Sequence, residues 1–203
     1  MIGTVLEMGI VPFFANPIAG YSIEEMTAAQ NWFDTQEDLS FTPWDWKIAC
    51  VQSGEIAYGK FLWGGKAAFA TVEWFRELAN YRRSLPKYAP DKAQQQILDY
   101  LCENGSIGIK ETRGLLEVKK SAADALMCRL MLQCRVVTGD IIRVYRGPDL
   151  HYNGWQYSSF CRPDDLFDLE THISPSESLE RLKTHIRSIA PNATDAQIAK
   201  LLG

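Results

Sequence analysis

Apolar residues recur at three- and four-residue spacing through Ile97, Leu98, Leu101 and Cys102, which predicts an amphipathic helix. Asp91 is placed to cap it, and Asn104-Gly105 to end it, since both tolerate the left-handed conformation of a helix C-terminus. Residues 106–109 read as a brief extended piece, and 110–117 as a short helix with Leu115 and Leu116 turned inward. Val118-Lys119-Lys120 makes a turn, and Ser121 is a suitable N-cap for a third helix ending near Gln133. The β-branched runs 135–137 and 141–145 predict strands. Gly147-Pro148 and Asn153-Gly154 mark a polar loop before Trp155-Gln156-Tyr157. Helix, short strand, helix, turn, helix and two strands joined by a loop is the winged-helix order, an arrangement that most often meets nucleic acid.

The flanking patterns differ. Residues 1–88 read as an aromatic-rich module of helices and a hairpin. Residues 5–14 are apolar, Ser22 and Glu25 have capping-box spacing, and 43–51 fits a short helix carrying Trp44 and Trp46. Gly64-Gly65 between 55–63 and 66–70 is a two-residue hairpin signal, and Thr71 precedes a helix to about Arg82. Residues 84–90, with two prolines and no periodicity, form the expected boundary. The winged helix then spans 89–160, and 161–203 is a helical extension. There Ser174-Pro175-Ser176 opens a helix with Leu179, Leu182, Ile186 and Ile189 on one face, and Thr194 or Asp195 caps a last short one. The predicted fold is α+β: a winged helix-turn-helix domain with an N-terminal aromatic-rich α/β-hairpin module and C-terminal helices.

Composition narrows the partners. At 203 residues and 46% hydrophobic content, the chain can bury one sizeable core or two small ones. No run approaches the roughly 20 apolar residues of a membrane span, and no leader or lipidation pattern opens the sequence, so the expectation is a cytoplasmic protein. Five cysteines, never spaced as Cys-x-x-Cys, suit small buried groups in a reducing compartment. A formal charge of −4 argues against a generic polyanion binder. The positive segment is 91–146, with nine Lys/Arg against seven Asp/Glu.

Two constellations could carry chemistry. On the winged helix, Lys119 and Lys120 flank a helix N-terminus, a place suited to anions. Arg143, Arg146, His151, Tyr152 and Trp155 lie on the wing strands or their loop, where they could hold a backbone and stack an unpaired base. The plain alternative is a solvated rim of charge with Trp155 in the core. On the third helix, Arg129 and Gln133 are the only donors suited to base edges, and the helix is apolar nearly all round. The second constellation is Trp44-Asp45-Trp46 with Tyr58, Trp63 and Trp74, a candidate pocket for a flat ligand with Asp45 at its edge. Its alternative is an aromatic core around a hairpin. His151, His172 and His185 are far apart, no Cys/His spacing matches a zinc module, and no phosphate-cradling glycine loop occurs, so neither a metal nor a cofactor is expected.

The strings Pro43-Trp44-Asp45-Trp46-Lys47, Tyr58-Gly59-Lys60-Phe61, Lys66-Ala67-Ala68-Phe69, Glu73-Trp74-Phe75 and Ala79-Asn80-Tyr81-Arg82-Arg83 resemble the bacterial AlkZ-related proteins. Arg129-Leu130-Met131-Leu132-Gln133, Gly154-Trp155 and Lys200-Leu201-Leu202-Gly203 are similar to that family too. The resemblance implies a distant relation to winged-helix DNA glycosylases, which excise alkylated bases or unhook cross-links. Those enzymes place water with a Gln-x-Gln or Gln-x-Asp element whose middle residue is apolar. Here Gln94-Gln95-Gln96 has a polar middle and sits in a predicted helix, so no catalytic residue is assigned. The leading expectation is DNA binding without catalysis. A reduced DNA glycosylase is the enzyme alternative, and a scaffold binding a protein partner or a second copy through apolar helices is the third.

Overall fold

The computed structural model describes residues 1–33 and 42–203. It is a mixed fold of helices and two small antiparallel sheets. Helix α1 (Ile2–Met8) stops at Gly9, whose φ of 68° only glycine adopts readily, and strand β1 (Ile10–Pro12) follows. A Cβ at Gly9 would collide with Trp74 and His185, so close packing demands glycine there as much as φ does. Two short helices come next, α2 (Ile23–Met26) and α3 (Gln30–Phe33). Helix α4 (Pro43–Gln52) then precedes β2 (Ile56–Gly59), β3 (Ala68–Thr71) and α5 (Val72–Arg83). Ser22 caps α2 by accepting from the Glu25 amide.

The first sheet has the order β1-β3-β2. The tight hairpin predicted at Gly64-Gly65 does not occur. Pairing of β2 with β3 ends at Gly59 and Ala68, and residues 60–67 leave the sheet through a 3-10 turn at Trp63–Gly65. Both glycines have positive φ, as the sequence signal requires. The strand ends early because Phe61 and Leu62 turn into the core.

Beyond a 3-10 turn at Pro86–Tyr88 come α6 (Lys92–Asn104), β4 (Ser106–Gly108), α7 (Ile109–Leu116) and α8 (Lys120–Leu132). Two long strands complete this part, β5 (Val137–Arg146) and β6 (His151–Cys161), giving a second sheet of order β4-β6-β5. Asp91 and Gln94 form a reciprocal capping box on α6. Helix α8 starts two residues earlier than its sequence predicts: Lys119, not Ser121, is at the cap position and makes no side-chain cap bond. Asn153-Gly154 is not in the loop but inside β6. Pairing passes from Arg143–Gln156 directly to Tyr145–Tyr152, so residues 153–155 face Val144 alone as a bulge, with Gly154 at φ 83°.

Helices α9 (Pro175–Ile189), capped by Ser174, and α10 (Asp195–Leu202), capped by Thr194, end the chain. Their apolar stripes find a partner within this chain. Leu182, Ile186, Ile198, Leu201 and Leu202 join Val5, Ile10, Phe13, Phe61, Phe75 and Leu78 in one core. That core runs on into Cys134, Val137 and Cys161 at the root of β5 and β6. A second core holds Ile97, Leu101, Ile107, Met127, Leu130 and Phe160. Among the described residues no helix is long and apolar enough to cross a membrane.

Arg82 ties these parts together. Its side chain is 0% exposed, and it donates to the carbonyls of Phe61 (2.5 Å), Leu132 (2.7 Å) and Leu202 (Nε, 3.0 Å). Two of those carbonyls end α8 and α10, where helix dipoles are negative, so three backbone segments stand in for a carboxylate.

Candidate functional site

The hairpin of β5 and β6 has two unlike faces. Its inner face docks on α4. Ile141 packs between Ile48 and Val51, and Asp45, buried in the first turn of α4, reaches the strands. Asp45 Oδ1 accepts from Arg143 Nε at 3.0 Å and from the Tyr152 hydroxyl at 2.9 Å, and Oδ2 accepts from Thr42 Oγ1 at 3.3 Å. Gln156 donates to the Tyr152 oxygen (2.9 Å) and to the Trp44 carbonyl (3.1 Å), extending the network. Lys47 stands beside it, its ammonium pKa lowered by burial and partly restored by Asp45. With Oδ1 shared between two donors, the carboxylate acts as a joint between α4 and the hairpin. Arg143 and Tyr152, predicted to touch a ligand, are held in that joint.

The outer face is open. Trp155 is 59% exposed, carried outward by the bulge, with the Arg146 guanidinium 5.6 Å from its ring centroid. His151, paired with Arg146 across the strands, is exposed as well. The paired Ile142 and Tyr157 add further exposed apolar area, while exposed Tyr145 lies against Tyr152 on the other face and exposed Leu150 is in the turn. The Tyr157 hydroxyl is pushed up in pKa, first by burial and then by the nearby Glu111 carboxylate.

Helix α8 is closed by comparison. Ala123, Met127, Leu130 and Met131 are buried. Its other flank meets the link between β2 and β3, where Met131 Sδ accepts from the Lys60 amide (3.3 Å) and Cys128 lies against the Gly65 carbonyl. The two candidate base-reading residues are both tied to the chain, Gln133 in its interior and Arg129 at its surface through one N–H. Arg129 Nη2 donates to the Lys87 carbonyl at 3.1 Å, and buried Gln133 donates to Gln94 Oε1 at 2.8 Å. At the N-terminal end Lys119 and Lys120 are exposed, and Lys120 pairs with Asp124 one turn on (2.6 Å).

The aromatic residues predicted to share a pocket are spread over the molecule. Trp44, 44% exposed, sits beside Phe14 and Trp32, which line a cavity of about 280 Å³ with it. Trp46 is half-buried one residue beyond Asp45. Tyr58 packs on Phe69 with ring centroids 4.8 Å apart. Trp63 lies under the ammonium groups of Lys66 (4.6 Å) and Lys200 (5.6 Å). Trp74 stacks on His185 at 3.7 Å, on the α5–α9 side of the chain. Of the predicted set, only Trp44, Asp45 and Trp46 share one element.

Sequence reasoning missed Phe14 and Trp32 as neighbours of Trp44, because they come from separate elements with no common spacing. It missed Gln156, a polar residue at an inward position of β6, for which strand alternation was an available signal. Among the described residues no three His, Cys, Asp or Glu side chains gather as a metal set would. A family model described as AlkZ related matches residues 1–203. No curated protein and no solved structure matches the chain.

Proposed function

The chain belongs to the AlkZ-related family, and from that premise we propose that residues 89–160 form a winged helix that associates with nucleic acid, DNA first, without reacting on it. The order α6-β4-α7-α8-β5-β6 and the sheet order β4-β6-β5 support the winged-helix reading. The observation that carries the binding role is Trp155, exposed on the outer face of the hairpin beneath Arg146.

Recognition in this reading passes from the third helix to the wing. On helix α8 Gln133 is buried and Arg129 gives one N–H to the Lys87 carbonyl, whereas the hairpin offers a flat ring, a cation over it and His151 beside them. An unpaired base stacks on Trp155 while Arg146, Lys119 and Lys120 hold phosphates. Arg143 and Tyr152 set the angle of the hairpin through Asp45 rather than meeting the ligand. The reading without a reaction draws support from the same joint: Asp45, the carboxylate beside the aromatic cluster, spends Oδ1 on two donors that hold the hairpin and turns Oδ2 to Thr42.

Fluorescence anisotropy against single-stranded, duplex and abasic-site DNA across a salt series tests this. Binding that weakens steeply with salt and falls by about 1–3 kcal/mol in Trp155→Ala is the expected result. No binding at low salt overturns it. The exposed cross-strand pair Ile142 and Tyr157, with Trp155 beside them in sequence, then favours a second reading, a surface for a protein partner or a second copy, which sedimentation velocity would detect.

A further inference from the structure

At the root of the hairpin, away from its turn, a cleft of about 400 Å³ is lined by Arg83, Arg135, Arg162 and Asp164, with Leu98 and Cys102 on the α6 wall. Each arginine comes from a different part of the chain. Arg83 ends α5, Arg135 lies between α8 and β5, and Arg162 follows β6. Three guanidinium groups are thus brought to one cleft by the fold.

Two of them are matched. Arg83 makes a two-pronged pair with Asp164 (2.7 Å to each oxygen) and also donates to the Cys134 carbonyl. Arg162 gives Nε and Nη2 to Asp165, leaving Nη1 without a hydrogen bond among the described residues. Asp99, the other carboxylate of the cleft, accepts from Gln95 on its own helix at 2.8 Å. Arg135 is the exception. Its side chain donates no hydrogen bond among the described residues, and its Nε is buried without an acceptor. Burial and then the neighbouring Arg83 charge depress its pKa, with Asp164 opposing them. A buried donor left without an acceptor is costly, and folded proteins seldom keep one beside two further cations unless something supplies the acceptor.

We propose that this cleft binds a phosphate group, with Arg135 as its principal ligand and Nη1 of Arg162 as the second. A guanidinium matches the oxygen spacing of a tetrahedral oxyanion, and donors from two sides, the Arg135 guanidinium and Nη1 of Arg162, suit phosphate better than a planar carboxylate. The group is an inorganic phosphate, the phosphate of a small phosphomonoester, or the phosphorylated end of an oligonucleotide. Leu98 and Cys102 offer an apolar wall for the organic part of the last two.

Isothermal titration of the full chain, at constant ionic strength, tests the site with inorganic phosphate, a nucleoside monophosphate, and one short oligonucleotide with and without a 5′-phosphate. Wild type is compared with Arg135→Gln, Arg162→Gln and Arg146→Gln. Phosphate-dependent binding to wild type is expected to fall at least about tenfold in Arg135→Gln and less in Arg162→Gln, whereas Arg146→Gln, on the wing, should weaken the oligonucleotide equally with and without its 5′-phosphate. Binding of inorganic phosphate identifies a small ligand. A response confined to the 5′-phosphorylated oligonucleotide identifies a nucleic-acid end. If Arg135→Gln loses its folded circular-dichroism spectrum, Arg162→Gln carries the comparison. No phosphate-dependent heat with any ligand, or equal affinity in wild type and both cleft variants, overturns the proposal. The Arg146→Gln control separates this site from the wing, so either can fail alone.

Discussion

Arg82 and Arg146 show how differently two regions of this chain spend a cation. Arg82 is sealed inside, and its donors end on carbonyls from three distant segments. Arg146 lies on the surface over an exposed tryptophan, at the end of a hairpin whose outer side is apolar. Helix α8 sides with Arg82: it is packed on two flanks, and Arg129 and Gln133 are engaged. The proposed recognition surface accordingly lies on the hairpin, where Trp155, Arg146 and His151 are exposed, rather than along the buried flanks of α8.

Substitutions that separate stability from binding put this contrast under strain. The largest effect is expected at Arg82. Arg82→Met strands three buried carbonyls and should cost on the order of 3–5 kcal/mol in urea denaturation. A loss within about 0.5 kcal/mol, the range of ordinary surface changes, would mean that the three-way clasp is not structural. Asp45→Asn comes next. It leaves Arg143 without its anion and should destabilise by roughly 1–3 kcal/mol, with faster amide exchange concentrated in β5 and β6. Uniform exchange across the chain would contradict a local joint. Trp155→Ala is expected to leave stability nearly untouched while weakening single-strand binding by about 1–3 kcal/mol. Equal damage to both would place Trp155 with the closed region.

The smallest effect is a pH slope. Burial lowers the pKa of His185, whose ring stacks on Trp74 and contacts the Met8 carbonyl. A folded-state value below the unfolded 6.5 means that the neutral ring's contribution is full above that pH. It is lost as pH falls through the lower folded value. Melting temperatures of wild type and His185→Gln should differ at neutral pH and converge on acidification. A gap that widens instead would reverse the assigned direction.

Local signals in the sequence located much of the chain. Asp91, Ser174 and Thr194 cap helices because their side chains reach amides three residues on, a relation contained in a few neighbouring residues. The same logic failed where tertiary packing overrode it. Gly64 and Gly65 have the backbone conformation of a tight hairpin, yet the burial of Phe61 and Leu62 ends the strand before the turn. Asn153-Gly154 looks like a loop, but a bulge absorbs it into β6. The site was less legible than the elements. Asp45 meets Arg143 across 98 positions, and Arg83, Arg135 and Arg162 converge from three elements. No periodicity connects such residues. Composition could only report that the segment 91–146 carries slightly more positive charge than negative.

The clasp of Arg82 also bears on how the chain acquires its shape. Its partners at Phe61 and Leu202 lie 21 and 120 positions away, on opposite sides of it in the sequence. Without α10 this guanidinium would lack its Leu202 acceptor, and water would have to take that place at the seam between α5 and α8. Contacts of such long sequence separation form late and slow folding, because chain entropy is lost before they contribute. The last helix therefore works as a latch, and a chain cut before α10 is expected to leave Arg82 open to water.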